Sequence, residues 1–144
     1  MTLAYRSRRA LFEAWLSATL LSGIPSTVYA LATGGDPMEA TRAAGAMLLP
    51  SEPNVFRLLA AAALVHCTVS LFWACVLWLA LPRRHTMLLA LVASAAIALI
   101  DLRLIAPAFF PGVAALEFWP QFADHLAWGA CVGAALRKSR GSSA

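Results

Sequence analysis

Residues 55–81 read VFRLLAAAALVHCTVSLFWACVLWLAL and residues 86–105 read TMLLALVASAAIALIDLRLI, with only Pro82-Arg83-Arg84-His85 between them. Each run reaches the roughly 20 apolar residues that an α-helix needs to cross the hydrocarbon of a bilayer. Two such helices joined by a four-residue basic turn must lie antiparallel and side by side. The chain outside this pair repeats the pattern once on each flank.

Upstream, an apolar run at about 10–32 follows Arg6, Arg8 and Arg9. Its basic start and the small residues of Ala30-Leu31-Ala32 also fit a signal peptide. Glu13 interrupts the apolar stretch, however, and the run is long for such a segment, so the reading is a retained span. Downstream, Pro120 opens a run at about 120–136 that ends on Arg137, Lys138 and Arg140. The expected fold is therefore all-α: an integral membrane bundle of four transmembrane helices forming a single domain over 1–144.

Composition agrees with that reading. The chain is 61% hydrophobic and 12% charged, against roughly a quarter charged in soluble domains, and its mean hydropathy is +0.75. The lipid bilayer is the first expected partner. The formal charge of +4 does not point to nucleic acid, because the basic residues stand at the ends of apolar runs instead of forming a stripe on a soluble face. Cys67, Cys75 and Cys131 all fall inside the runs and behave as small apolar residues; no CxxC spacing marks a redox or metal pair.

Between the first two spans, Asp36-Pro37-Met38-Glu39 has the residue types of a helix start: an N-cap, a proline at the first position and a reciprocal glutamate. A short interfacial helix is expected at about 37–49, stopping before Pro50. Asn54 is available to cap the second span. Pro107 is expected to end the third span by disfavouring helical geometry in Ala106. The aromatic segment Phe109 to Trp119 fits a loop at headgroup depth.

The charges test the topology. The N-terminal tail, the Arg83-Arg84 turn and the C-terminal tail hold three, two and three of the eleven Lys and Arg residues, while every acidic residue except Glu13 lies elsewhere. The positive-inside rule then puts both termini in the cytoplasm and the chain in a bacterial inner membrane as a multi-pass protein.

Small residues supply packing faces, since helices in lipid associate by close approach. Gly129 and Gly133 form a GxxxG pair on the fourth span, and Ala90, Ser94 and Ala98 form a small-residue row on the third. These seams can hold the chain's own bundle together, or a homo-oligomer.

The polar residues gather towards the extracytoplasmic ends: Arg42, Arg57, Asp101, Arg103, Glu117, Asp124 and His125 form a candidate polar pocket, with Glu52 nearby. Asp101 and Arg103, two apart on one helix, cannot face each other. Arg42 or Arg57 is the expected partner of Asp101, and Asp124 or Glu117 that of Arg103. His66 lies near the middle of its span with Ser70 and Trp73 on the same face. It is a candidate proton relay or ligand, and its depth is expected to keep it apart from the outer cluster. Asp124 and His125 point about 100° apart and cannot form a dyad with each other. No HExxH, nucleophile elbow, phosphate loop or dinucleotide fingerprint occurs, so neither a metal, a cofactor nor an enzymatic activity is indicated.

Two stretches carry a resemblance. Ser22-Gly23-Ile24-Pro25-Ser26-Thr27 with Asp36-Pro37-Met38-Glu39-Ala40-Thr41-Arg42, and Pro120-Gln121-Phe122-Ala123-Asp124-His125-Leu126-Ala127-Trp128-Gly129, resemble signatures of small uncharacterised four-helix bacterial membrane proteins. The resemblance spans most of the chain and implies no activity. The leading expectation is a non-enzymatic protein, either an accessory or structural subunit bound to a membrane-protein partner or a self-associating bundle. The alternative is a transporter or channel component in which the outer pocket and His66 line a path. An enzyme using Asp124 and His125 on lipid or quinone is the weakest reading.

Overall fold

The structure is a computed structural model and describes residues 7–82 and 84–138. Arg6, Arg83, Arg140 and the 141–144 tail lie outside the described residues. The described residues are mostly helical, with no strand among them: α1 (Arg8–Leu21), α2 (Ile24–Thr33), α3 (Glu39–Ala46), α4 (Val55–Ala80), α5 (Thr86–Ile100), a π-helical turn (Asp101–Ile105), α6 (Ala106–Phe109), α7 (Pro111–Ala114) and α8 (Phe118–Lys138).

Two helical stretches, Val55–Ala80 and Thr86–Phe109, are long and apolar enough to cross a membrane. The run at 10–32 is not one helix. Pro25 has no N–H and its ring clashes with the carbonyl four residues back, so the ladder breaks at Ser22-Gly23 and α2 restarts with the proline in its first turn. Asn54 caps α4, its side-chain oxygen accepting the Phe56 and Arg57 N–H groups at 3.0 and 3.2 Å.

Two helix ends differ from the sequence reading. The helix starting at Thr86 runs on through Pro107 to Phe109. The π turn makes room for the proline: the Ala106 N–H reaches back five residues to the Asp101 carbonyl, which widens the coil just ahead of the ring. The interfacial helix is also shorter than 37–49. Asp36 Oδ1 accepts the Met38 N–H at 2.8 Å, so 36–38 form a turn and regular helix begins at Glu39. At the other end Gly45 O accepts from both Leu48 and Leu49, closing the helix before Pro50.

Helix α8 is the centre of the assembly, packed by α5 on one side and by α1 and α2 on another, while α4 packs on α1 and α3. The interior is built from small residues. Ala14, Ala18, Ala74, Ala90, Ala98 and Ser94 are fully buried, together with Val132 and Leu136. Large apolar side chains such as Leu79, Leu104, Phe56 and Phe109 point outward. At the α5–α8 seam, a Cβ on Gly129 would stand 2.6 Å from Ser94 Cβ, and one on Gly133 3.1 Å from Ala90 Cβ. Two glycines thus let α8 sit on the Ala90–Ser94 row.

These contacts fix the helix directions. Asp101 is level with His125, Ser94 with Gly129 and Met87 with Gly133, while Thr19 is level with Ser70 and Ser70 with Trp128. The start of α1, the end of α4, the start of α5 and the end of α8 therefore share one end of the bundle. The α2–α3 connection, the start of α4 and α7 share the other.

Candidate functional site

The break at Pro25 has a direct chemical consequence. In an unbroken helix the Ser26 N–H would bond to the Ser22 carbonyl; here it is one of the four donors left open at a helix start. Asp124, reaching across from α8, takes it: Oδ1 accepts the Ser26 N–H at 2.9 Å. A carboxylate at a helix N-terminus is also favoured by the dipole of the helix. Asp124 thus caps α2 from another helix.

The neighbouring His125 points elsewhere, as adjacent helical residues must. Its Nδ1 is 2.9 Å from the Gln121 carbonyl, and its Nε2 is 3.4 Å from Asp101 Oδ2. A carbonyl only accepts, so Nδ1 carries a proton. The Nε2 contact to a carboxyl oxygen is then attractive only when the pair holds a second proton, on the imidazole or on Asp101. The π turn starts at Asp101, so the same irregularity that accommodates Pro107 lies at this contact.

On α4, His66 Nε2 lies 2.9 Å from the Thr19 carbonyl and 3.3 Å from Ser22 Oγ. One turn on, Ser70 Oγ accepts from Thr19 Oγ1 at 2.9 Å and from Trp128 Nε1 at 2.8 Å. These bonds tie α1, α4 and α8 together at one level. On the far side of that tie α4 does not close on α8 or α2, and the gap is a cavity of about 600 Å³, within the usual range for small-molecule sites. Asp101, Asp124, His125, His66, Ser70 and Trp73 all face it, with Gln121, Ser26, Thr27 and Thr41 supplying further polar groups and Leu59, Ala62, Ala63 and Ile97 apolar wall.

The cavity brings together part of the sequence-derived pocket and leaves out the rest. Asp101, Asp124 and His125 line it, and His66 joins them instead of being separated by depth. His66 stands level with the Ser22-Gly23 break, so the break in the first apolar run brings the polar groups of α2 and α8 down to its depth. Arg42 and Arg57 do not reach Asp101. Arg42 pairs with Asp36 and Arg57 with Glu52, the latter at 3.3 Å, because acids in the same connecting segments need little loop closure to meet them. Arg103 meets neither Asp124 nor Glu117; its guanidinium lies 4.1 Å from the centre of the Phe118 ring. Glu117 faces a second, smaller cavity of about 210 Å³ with Asp36 and Glu39. Ala90, Ser94, Ala98, Gly129 and Gly133 are buried in the bundle interior and line neither cavity.

The sequence reading missed Thr19, Ser22, Ser26 and Gln121. The available signal was Pro25: a proline within an apolar run frees backbone donors, and a distant acid is a natural acceptor. Among the described residues, no group of three or more histidine, cysteine or acidic side chains is arranged to hold a metal ion. No protein-family model matches the chain, and no curated protein or solved structure matches it either.

Proposed function

We propose that this chain is a four-span inner-membrane protein acting as a transporter or channel component, with the polar cavity between α4 and α8 as its solute site. The observation that carries the reading is the convergence of Asp101, Asp124, His125 and His66, from three separate helices, on one cavity inside a bundle whose exterior is apolar. Ionisable groups at membrane depth are costly and mark substrate, ion or proton pathways.

The four-span arrangement is supported by more than the two long apolar helices. A small-residue interior with large apolar side chains outside is the pattern of a protein dissolved in lipid. Helices α1 and α2 both pack along α8, and at about 1.5 Å per residue α8 is long enough to cross. Arg8, Arg9, Arg84, Arg137 and Lys138 lie at the bundle end shared by the start of α1, the end of α4, the start of α5 and the end of α8, which supports cytoplasmic termini. The GxxxG seam, which could hold either the chain's own bundle or a homo-oligomer, is occupied by the Ala90–Ser94 row of the same chain, which weakens the case for a self-associating bundle.

Two measurements test the reading. In proteoliposomes carrying a trapped pH-sensitive dye, an imposed membrane potential is expected to drive proton entry above that of protein-free vesicles, reduced several-fold by Asp101→Asn and by His66→Ala. Equal rates in all three proteins overturn it. A reporter fused to the C-terminus is expected to be active on the cytoplasmic side; activity outside overturns the topology.

A further inference from the structure

The charge balance of the cavity points to the class of its ligand, resting on the solute-site reading above. Among the described residues no lysine or arginine faces the cavity; the nearby arginines are occupied by Asp36, Glu52 and the Phe118 ring. Its titratable groups are Asp101 from the π turn, Asp124 and His125 from α8, and His66 from α4; the parts of α1, α2 and α3 that face it supply only hydroxyl and apolar groups. Asp101 has an imidazole at 3.4 Å with which to share a proton. Asp124 accepts from Ser26, with the imidazoles of His125 and His66 close enough to act on it electrostatically but not hydrogen-bonded to it.

A carboxylate in such surroundings is neutralised either by a proton or by a cation. A bare metal ion fits poorly. The cavity is many times the volume of a dehydrated ion, its wall is largely apolar, and no metal-capable cluster of three is present among the described residues. A protonated amine with an apolar body fits both halves. Its ammonium would meet the Asp124 carboxylate and the neighbouring hydroxyls, and its hydrocarbon Leu59, Ala62, Ala63 and the indoles of Trp73 and Trp128.

We propose that the cavity binds a small organic monocation, an alkyl or aralkyl ammonium, which takes the place of a proton at Asp124. One positive charge enters as one proton leaves the carboxyl for water, and no other bond changes. Cation and proton compete for one carboxylate, so the apparent affinity for the cation rises with pH over the range in which the amine stays charged.

The test uses the full chain in nanodiscs, titrated calorimetrically with 4-phenylbutylamine, its neutral N-acetyl derivative and 5-phenylpentanoate. These share an apolar body and differ in the charge of the head. The amine is expected to bind at least about tenfold tighter than the other two, more tightly as pH rises below the amine's own pKa of about 10.4, with proton release matching the amount bound. Asp124→Asn keeps an acceptor for Ser26 and is expected to lose this preference, while Arg57→Gln, outside the cavity, retains it. If the acetamide or the carboxylate binds as well as the amine, or the amine's affinity is independent of pH, the cation inference is overturned and the solute site stands. If none of the three binds, the solute-site reading falls with it. The ligand series alone decides the matter if Asp124→Asn fails to fold.

Discussion

Asp124 and Ser26 stand 98 residues apart in sequence, yet the carboxylate of one accepts the backbone N–H of the other at 2.9 Å. The pair joins a helix break to the polar cavity, because the donor exists only where Pro25 interrupts the ladder. Replacing Asp124 by alanine leaves that donor without its acceptor in a partly buried site, at a cost of about 1–3 kcal/mol. Asp124→Asn is expected to cost less, since an amide oxygen can still accept. Thermal unfolding in mild detergent separates the two. Equal destabilisation by both variants would mean that accepting the Ser26 N–H is not what α2 requires of Asp124.

Ser70 accepts from both Thr19 and Trp128 and is almost fully buried. Ser70→Ala would strand an indole N–H and a hydroxyl in a low-dielectric interior, and is expected to cost about 2 kcal/mol or more. Trp128 emission should shift as its indole loses its partner. An unchanged unfolding midpoint would remove this tie as the element that holds α1, α4 and α8 in register.

Close approach at glycine gives a third expectation. A Cβ on Gly129 meets the Ser94 side chain, whereas one on Gly45 meets the Leu58 backbone, with the carbonyl carbon at 2.8 Å. Each alanine substitution should destabilise by about 1–3 kcal/mol through overpacking. The two differ in rescue: Ser94→Gly should restore much of the loss at Gly129, whereas no side-chain change at Leu58 can relieve a clash with its backbone. Failure of the Gly129→Ala and Ser94→Gly pair to recover stability would show that the α5–α8 contact is not set at this point.

The connection between α2 and α3 should respond to pH. Asp36 is exposed there, and its carboxyl is held below the ordinary range, first by the Arg42 guanidinium and then by the Met38 N–H. A group whose folded-state value is depressed contributes above its unfolded value and loses that contribution as pH falls through the folded one. Protection of the 36–46 amides, measured against the exchange of the unfolded chain at each pH, is thus expected to be steady from neutral pH to about pH 4 and to fall below it. Arg42→Gln should make this loss smaller and complete it at a higher pH; an unchanged profile would detach this pair from the order of the segment.

How much of this could be read in advance varies by feature. The helix beginning at Val55 and its Asn54 cap are local matters of apolar run and side-chain type, and they are found as the residues imply. The break at Pro25 and the passage of helix through Pro107 were both misjudged. A proline forbids one backbone bond but leaves open whether the chain breaks, as at Ser22-Gly23, or widens, as at the π turn. Neighbouring packing makes that choice. Charge partners were harder still: the arginines at 42 and 57 turned to acids in their own segments, and His125 rather than an arginine met Asp101.

By itself the sequence determined that the chain is helical, that two of its helices can cross a membrane, and that its polar residues cluster away from its basic ends. These follow from hydropathy and spacing, which are properties of contiguous residues. Only the tertiary structure decided that His66, Asp101, Asp124 and His125 share one cavity, and that Asp124 meets Ser26. Each residue turns a helix by about 100° and advances it by about 1.5 Å, so which side chains meet depends on the rotation and offset between helices. Those are set here by contacts such as Gly129 on Ser94, which no single stretch of sequence contains.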